Sequence, residues 1–313
     1  MTAIPELPPP GRKARFAPNF GCRFIVTVDT EEDFDWSQPL AREGHGVVPI
    51  YLADWPVATS SLAVDILQPA LAAGRAEIGV QLHPWVNPPF NEEVTPSNSF
   101  AGNLPAQLEA AKFHNLRDMI EDMFGVAPLI YRAGRYGTGP NTAELLAECG
   151  LAIDTSVRAK FDYSAGGGPD YRHHPLEPYW LDGDRRLLEL PLTTVFWGML
   201  RRQGEWLYPA LGRFPKLRGL LSYLGMLERI PLTPEGVSVD EAIRGIDIAI
   251  DDGLPLLVFS FHSPSLQPGH TPYVRSEEDL DALYDWWRRA FAYCEMRGVK
   301  PTSVGEIMRA VSR

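Results

Sequence analysis

Seven short apolar runs, separated by helical patterning, constrain the fold of this chain more than any other feature. They are Phe24–Val28, Glu77–Leu82, Leu129–Arg132, Leu151–Asp154, Leu187–Leu192, Leu256–Phe261 and Val299–Thr302. Strands this apolar are buried on both faces, and strands alternating with helices make a parallel sheet covered by those helices. The helices announce their ends. Asn141 with Glu144, Ser238 with Glu241 and Ser303 with Glu306 have capping-box spacing, in which side chains satisfy amides left free in a first turn. The stretch from Ser276 aligns Leu280, Leu283, Tyr284, Trp287, Phe291 and Cys294 and stops at Gly298. A second stripe runs through Leu108, Leu116, Met119, Ile120 and Met123 and also ends on glycine, as amphipathic helices do. About seven such units favour a closed or nearly closed barrel over an open sheet.

Composition sets the class. The 313 residues are 45% hydrophobic, enough for one large α/β domain, read as residues 23–313 behind a tail at 1–22. A net charge of -11 argues against a nucleic-acid partner, whose phosphates demand a basic surface. Cys22, Cys149 and Cys294 lie far apart in no metal-like spacing and read as reduced thiols of a cytoplasmic protein. Residues 1–15 carry prolines and a basic run without the apolar core of a secretory signal,. No window approaches the roughly 18 apolar residues of a membrane span. Two stretches break the rhythm. Residues 33–56 read as a long loop, and loops of that size carry function. The segment of about 199–230, with Arg201, Arg202, Arg213, Lys216, Arg218 and Arg229, reads as an insertion with a solvated basic face, or as a surface for an anionic glycan, lipid or partner.

Chemistry gathers at strand ends. The first strand runs into Asp29, Glu31, Glu32, Asp33 and Asp35, five carboxylates within seven positions. A core strand has no use for such a cluster, since desolvated like charges repel. Residues two apart in a strand share a face, so Asp29 and Glu31 converge, one suited to bind a divalent metal and the other to take a proton from water. Gln81 and His83 share a face in the same way, and imidazole is a common zinc ligand. Arg132 and Arg135 stand at a third strand end beside Gly134 and Gly137, and His262 follows a strand that is apolar but for Ser260. A lone histidine after a strand is usually structural and an arginine near acids usually a plain ion pair. Together at equivalent ends of parallel strands they read as an active site. His173 and His174, in a Gly/Pro-rich loop, read as surface residues.

Four phrases carry a family resemblance: Thr27-Val28-Asp29-Thr30-Glu31-Glu32-Asp33-Phe34-Asp35-Trp36, Gln81-Leu82-His83-Pro84-Trp85-Val86-Asn87-Pro88-Pro89, Tyr131-Arg132-Ala133-Gly134-Arg135-Tyr136-Gly137, and the stretch opening Ser260-Phe261-His262-Ser263-Pro264. From about Arg23 onward the chain resembles the NodB-homology polysaccharide deacetylases, carbohydrate esterase family 4, and most of all the WalW-type branch. The resemblance implies a deformed (β/α)7 barrel of the glycoside hydrolase/deacetylase type and metal-assisted removal of N-acetyl groups from an amino sugar or glycan. Asp29 then resembles the base, Glu31 the metal-binding acid, Arg132 the arginine that orients the base, and His262 the general acid, oriented by Asp154 or Asp162. Trp36, Trp85, Asn87, Arg135 and Tyr136 are the candidates for substrate binding.

The second motif departs from the family. Its two metal histidines, four residues apart, fall on Gln81 and Trp85 without a gap, or on His83 and Asn87 with a two-residue slip. With Glu31, Gln81 and His83 as the metal set, amide oxygen suits a cation harder than zinc. The alternative reading is a metal-free carbohydrate-binding or assembly protein on a degenerate barrel, with Trp36, Trp85, Tyr136 and the Trp286-Trp287 pair as aromatic platforms. Trp287, on the helix stripe, reads as core.

Overall fold

A computed structural model describes residues 12–31 and 46–312. Its centre is the strand Arg23–Thr30, buried along almost its whole length. Parallel strands follow in the spatial order Leu256–His262, Arg23–Thr30, Ile50–Ala53, Glu77–Leu82, Ile130–Ala133, Ile153–Asp154 and Leu188–Glu189. The sheet curls into a deformed (β/α) barrel. Between its last and first strands the closure is irregular: Thr193 N–H donates to Val258 O at 3.2 Å, and Ser260 N–H donates to Leu232 O at 3.2 Å.

The pleat sorts side chains into two layers. Ile25, Leu52, Ile130, Ile153, Leu188 and Val258 fill the barrel interior. Phe24, Val28, Ile78, Val80, Phe259 and Phe261 point outward and pack under the helices, meeting Phe113, Ile246 and Trp287. Trp287 is therefore core, as its place on the stripe predicts. Gly79 lies in the inner layer beside Leu52, where a methyl group would stand 2.6 Å from Ile130 Cγ2 and 2.7 Å from the Ile130 carbonyl oxygen.

Several expectations change. The long loop read at 33–56 contains a strand, Ile50–Ala53, too short for a periodic signal but apolar enough to be buried on both faces. Only Lys300–Pro301 pairs from the run 299–302. Ser238 forms a reciprocal capping box with Glu241. Ser303 accepts from Glu306 N–H, while the Glu306 carboxylate takes a hydrogen bond from Thr302. Asn141 makes no side-chain cap. His174 is buried, 3.1 Å from the Tyr179 hydroxyl, so the surface reading fails for it.

The far edge of the sheet is covered. Tyr179–Trp180 runs antiparallel to Leu188–Glu189. Its other side meets residues 12–14: Trp180 N–H donates to Arg12 O at 2.8 Å and Ala14 N–H to Pro178 O at 2.9 Å. Arg15–Phe16 then pairs antiparallel with Val311–Ser312. The basic insertion springs from a hairpin, Thr194–Trp197 with Glu228–Pro231, and holds two helices, Gly204–Ala210 and Pro215–Tyr223.

Candidate active site

Parallel register places Asp29 directly opposite His262 and Gln81 opposite Arg132. All four face the barrel interior near the carboxyl ends of their strands, where barrels collect reacting groups. Asp29 is 2% exposed and Arg132 is fully buried. An isolated guanidinium would not be tolerated there, so its partners explain it. Arg132 Nη1 pairs with Asp29 Oδ1, Nη2 donates to Thr27 Oγ1 at 2.8 Å, and Nε donates to the Thr155 carbonyl at 3.0 Å. This fixes the direction of the Asp29 carboxylate.

His262 sits between two acids. Its Nε2 lies 3.6 Å from Asp29 Oδ2, and its Nδ1 lies 2.7 Å from Glu235 Oε2. Glu235 also accepts the His262 backbone N–H at 3.0 Å and the Ser265 hydroxyl at 2.6 Å. Burial alone would lower the pKa of His262, but the Glu235 hydrogen bond and charge, with Asp29 and Glu31 behind, raise it to about 9. Burial likewise opposes ionisation of Glu235, and the hydrogen bonds from His262 and Ser265 overcome it, holding its carboxyl below the usual range,.

Glu235 is the functional residue that the sequence reading missed. It belongs to a Thr-Pro-Glu-Gly turn, outside every periodic element. Its only signal is a position a few residues before the Ser238 cap, on the chain that returns toward the barrel mouth. The orienting carboxylate assigned to Asp154 or Asp162 is therefore corrected. Asp154 lies one pleat over, in the outward-facing row with Tyr131 and Glu189, and accepts from Ser156 N–H at 3.0 Å. Burial raises its pKa to about 6 and raises that of Glu189 as well. Asp162 accepts from Ser164 N–H and lies 3.5 Å from Arg172.

His83 and Glu31 meet across the mouth, His83 Nε2 lying 3.6 Å from Glu31 Oε1. Burial pushes the His83 pKa down to about 4, so its imidazole is neutral near pH 7. Among the described residues, neither ring nitrogen of His83 nor Oε1 of Gln81 has a hydrogen-bond partner. These orphaned polar atoms test the divalent metal that the resemblance implies. A resident cation needs three or more protein donors in most sites. Among the described residues no group of three His, Cys, Asp or Glu gathers to hold one. Asp29 is engaged by Arg132, and the Gln81 amide is a weak donor to zinc. The residues present do not fit a resident zinc of the kind the family motif implies.

The substrate-binding candidates separate. Trp85, 39% exposed, stands edge-on to His83 with ring centroids 4.7 Å apart and offers an aromatic wall at the mouth. Tyr136 is buried and Arg135 exposed, and both adopt left-handed backbone (φ 61° and 55°) that costs a non-glycine residue about 1–3 kcal/mol and recurs at functional sites. Arg135 lies over the Phe100 ring at 4.5 Å. Asn87 is corrected: it is fully buried, its Nδ2 donating to Lys112 O at 2.8 Å and Pro88 O at 2.9 Å. It pins the loop to helix Ala106–Phe124 and does not line the mouth. Trp36 lies outside the described residues.

From Tyr136 a stack of rings and guanidiniums leads away from the mouth. Arg158 lies 5.3 Å from the Tyr136 centroid and 4.0 Å from that of Phe161, Arg229 lies 3.5 Å from Phe161 and 4.8 Å from Tyr208, and Arg218 lies 5.1 Å from Tyr208. The stack joins the site to the basic insertion.

No family model matches the chain, and no curated protein matches it. Solved structures do. A protein described as a polysaccharide deacetylase of Mycobacterium smegmatis is 16% identical, with a TM-score of 0.47 over 97% of this chain and 98% of that one. A family 4 acetyl xylan esterase from Clostridium thermocellum, solved with a cobalt ion, is 11% identical, with a TM-score of 0.44 over 91% and 90% of the two chains. The 4-alpha-glucanotransferase of Thermococcus litoralis is 14% identical, with a TM-score of 0.53 over 92% of this chain and 40% of that one. Polysaccharide deacetylases recur among these neighbours, and at such identities the likeness is one of fold.

Proposed function

We propose that this barrel hydrolyses an amide, in the first instance the N-acetyl group of an amino sugar or glycan. One observation carries the reading: an arginine-held carboxylate and a glutamate-held histidine face each other 3.6 Å apart at the barrel mouth. A carbohydrate-binding surface needs no such matched acid and base. Asp29, held in place by Arg132, takes the proton of an attacking water. His262, protonated at neutral pH because Glu235 raises its pKa to about 9, gives a proton to the leaving amine. His83, neutral and with no hydrogen-bond partner on either ring nitrogen among the described residues, is suited to donate a hydrogen bond to the acyl oxygen as charge builds on it. Trp85 supplies an apolar wall for a sugar ring.

The test is acetate release from N-acetylated amino sugars and oligosaccharides, with and without added divalent cations. Asp29→Asn and His262→Ala should each slow release by about 10²–10⁴-fold, the range of a positioned acid or base. Wild type and both variants matching buffer alone would overturn the reading, and glycan binding without turnover would favour the binding barrel instead.

A further inference from the structure

The insertion carries a surface that its own packing does not need. Phe196, Leu211 and Leu227 form a small private core with Leu200, Leu207, Tyr208 and Leu221. Around that core the insertion exposes Trp206 at 64%, Phe214 at 61%, Leu220 at 51%, Tyr223 at 89%, Leu224 at 56% and Met199 at 85%. No residue of helix Pro215–Tyr223 is fully buried, and Leu221 packs only partly against that core. So many large apolar side chains exposed on one short insertion mark an interaction surface.

Charge identifies the partner. Residues 199–225 hold Arg201, Arg202, Arg213, Lys216 and Arg218 against Glu205 alone, in a chain of net charge -11. Glu205 is taken by Lys160 at 2.6 Å and Arg201 reaches Asp252 at 3.1 Å. Among the described residues no carboxylate pairs with Arg202, Arg213 or Lys216, and all three are exposed. We infer that this face docks on an anionic lipid bilayer. Tryptophan and tyrosine with leucine and phenylalanine enter the headgroup boundary, while interleaved lysine and arginine meet lipid phosphates. No described helix is long and apolar enough to cross a membrane, so the helices lie on the surface. The arginine–aromatic stack from Tyr208 to Tyr136 ties this face to the barrel mouth. The surface stands independently of the proposed hydrolysis.

The experiment is co-sedimentation of the full chain with vesicles of phosphatidylcholine, alone or mixed with phosphatidylglycerol. Binding is expected only to the mixed vesicles and should fall as salt rises. Trp206→Ser with Phe214→Ser, and separately Arg213→Glu with Lys216→Glu, should each weaken it about tenfold or more with thermal unfolding unchanged. The inference is overturned if the mixed vesicles leave the protein in solution or if both double variants sediment like wild type. It is equally overturned by a wild-type dimer that Trp206→Ser/Phe214→Ser disperses without any vesicle binding.

Discussion

His262 is held from both sides of its ring, by Glu235 at Nδ1 and by Asp29 across Nε2. The protonated form is the one both acids favour, so the alkaline limb of kcat/KM should lie near the pKa of about 9. Glu235→Gln keeps a hydrogen-bonding group but removes the charge. The limb should then move toward the ordinary histidine value of about 6.5, while the acid limb stays in place. A limb that remains near 9 in the variant would show that Glu235 does not set this pKa. The sign also fixes stability: the pairing contributes fully below about pH 6.5 and is lost as pH rises through the folded pKa. At this scale the sequence was a partial guide. Asp29, Arg132 and His262 could be seen because strand ends in a barrel converge. Glu235 could not, because a turn residue finds its partner through a tertiary contact 27 positions away in the chain. Asp154 misled for a related reason: a single pleat decides whether a strand residue faces the mouth or the helices.

Among the elements, the inner layer depends on the absence of a side chain at one position. Gly79 leaves room for Ile130 and Leu52, which would stand 2.6–2.7 Å from an added Cβ. One of those contacts is backbone and cannot swing aside. Gly79→Ala should destabilise by about 1–3 kcal/mol, read as a lower urea midpoint at unchanged m-value. A midpoint equal to wild type would show that the sheet relaxes freely there. Strand existence was legible where apolar and β-branched residues ran together with at most one small polar residue among them, as at Phe24–Val28 and Leu256–Phe261. Ile50–Ala53 was hidden because four residues carry no usable period, and its identity comes from the strands that flank it. The caps show the same division. Ser238 reads correctly because its box is local, whereas Thr142, beside Asn141, turns its hydroxyl to Glu109 on another helix.

The whole molecule carries buried acids outside the site. Glu109 is 1% exposed, and burial raises its pKa to about 7 even though the Thr142 hydroxyl works the other way. Its folded pKa exceeds its unfolded one. The stability it contributes is thus present below about pH 4 and lost as pH rises through 7. Asp154, raised to about 6, adds to the loss. Glu109→Gln should flatten this dependence, recovering on the order of 1–3 kcal/mol at about pH 8 relative to about pH 5. Urea unfolding at the two values checks it, and parallel losses in wild type and variant would refute it.

The covered sheet edge has a consequence of another kind. Tyr179–Trp180 would otherwise present a row of unsatisfied amides and carbonyls, a template onto which the same strand of a second molecule can add. Residues 12–14 occupy that template from within the chain, and Arg15–Phe16 fastens them to Val311–Ser312. Loosening of this clip therefore threatens first the solubility of the protein, through edge-to-edge aggregation, and only later the distant barrel mouth.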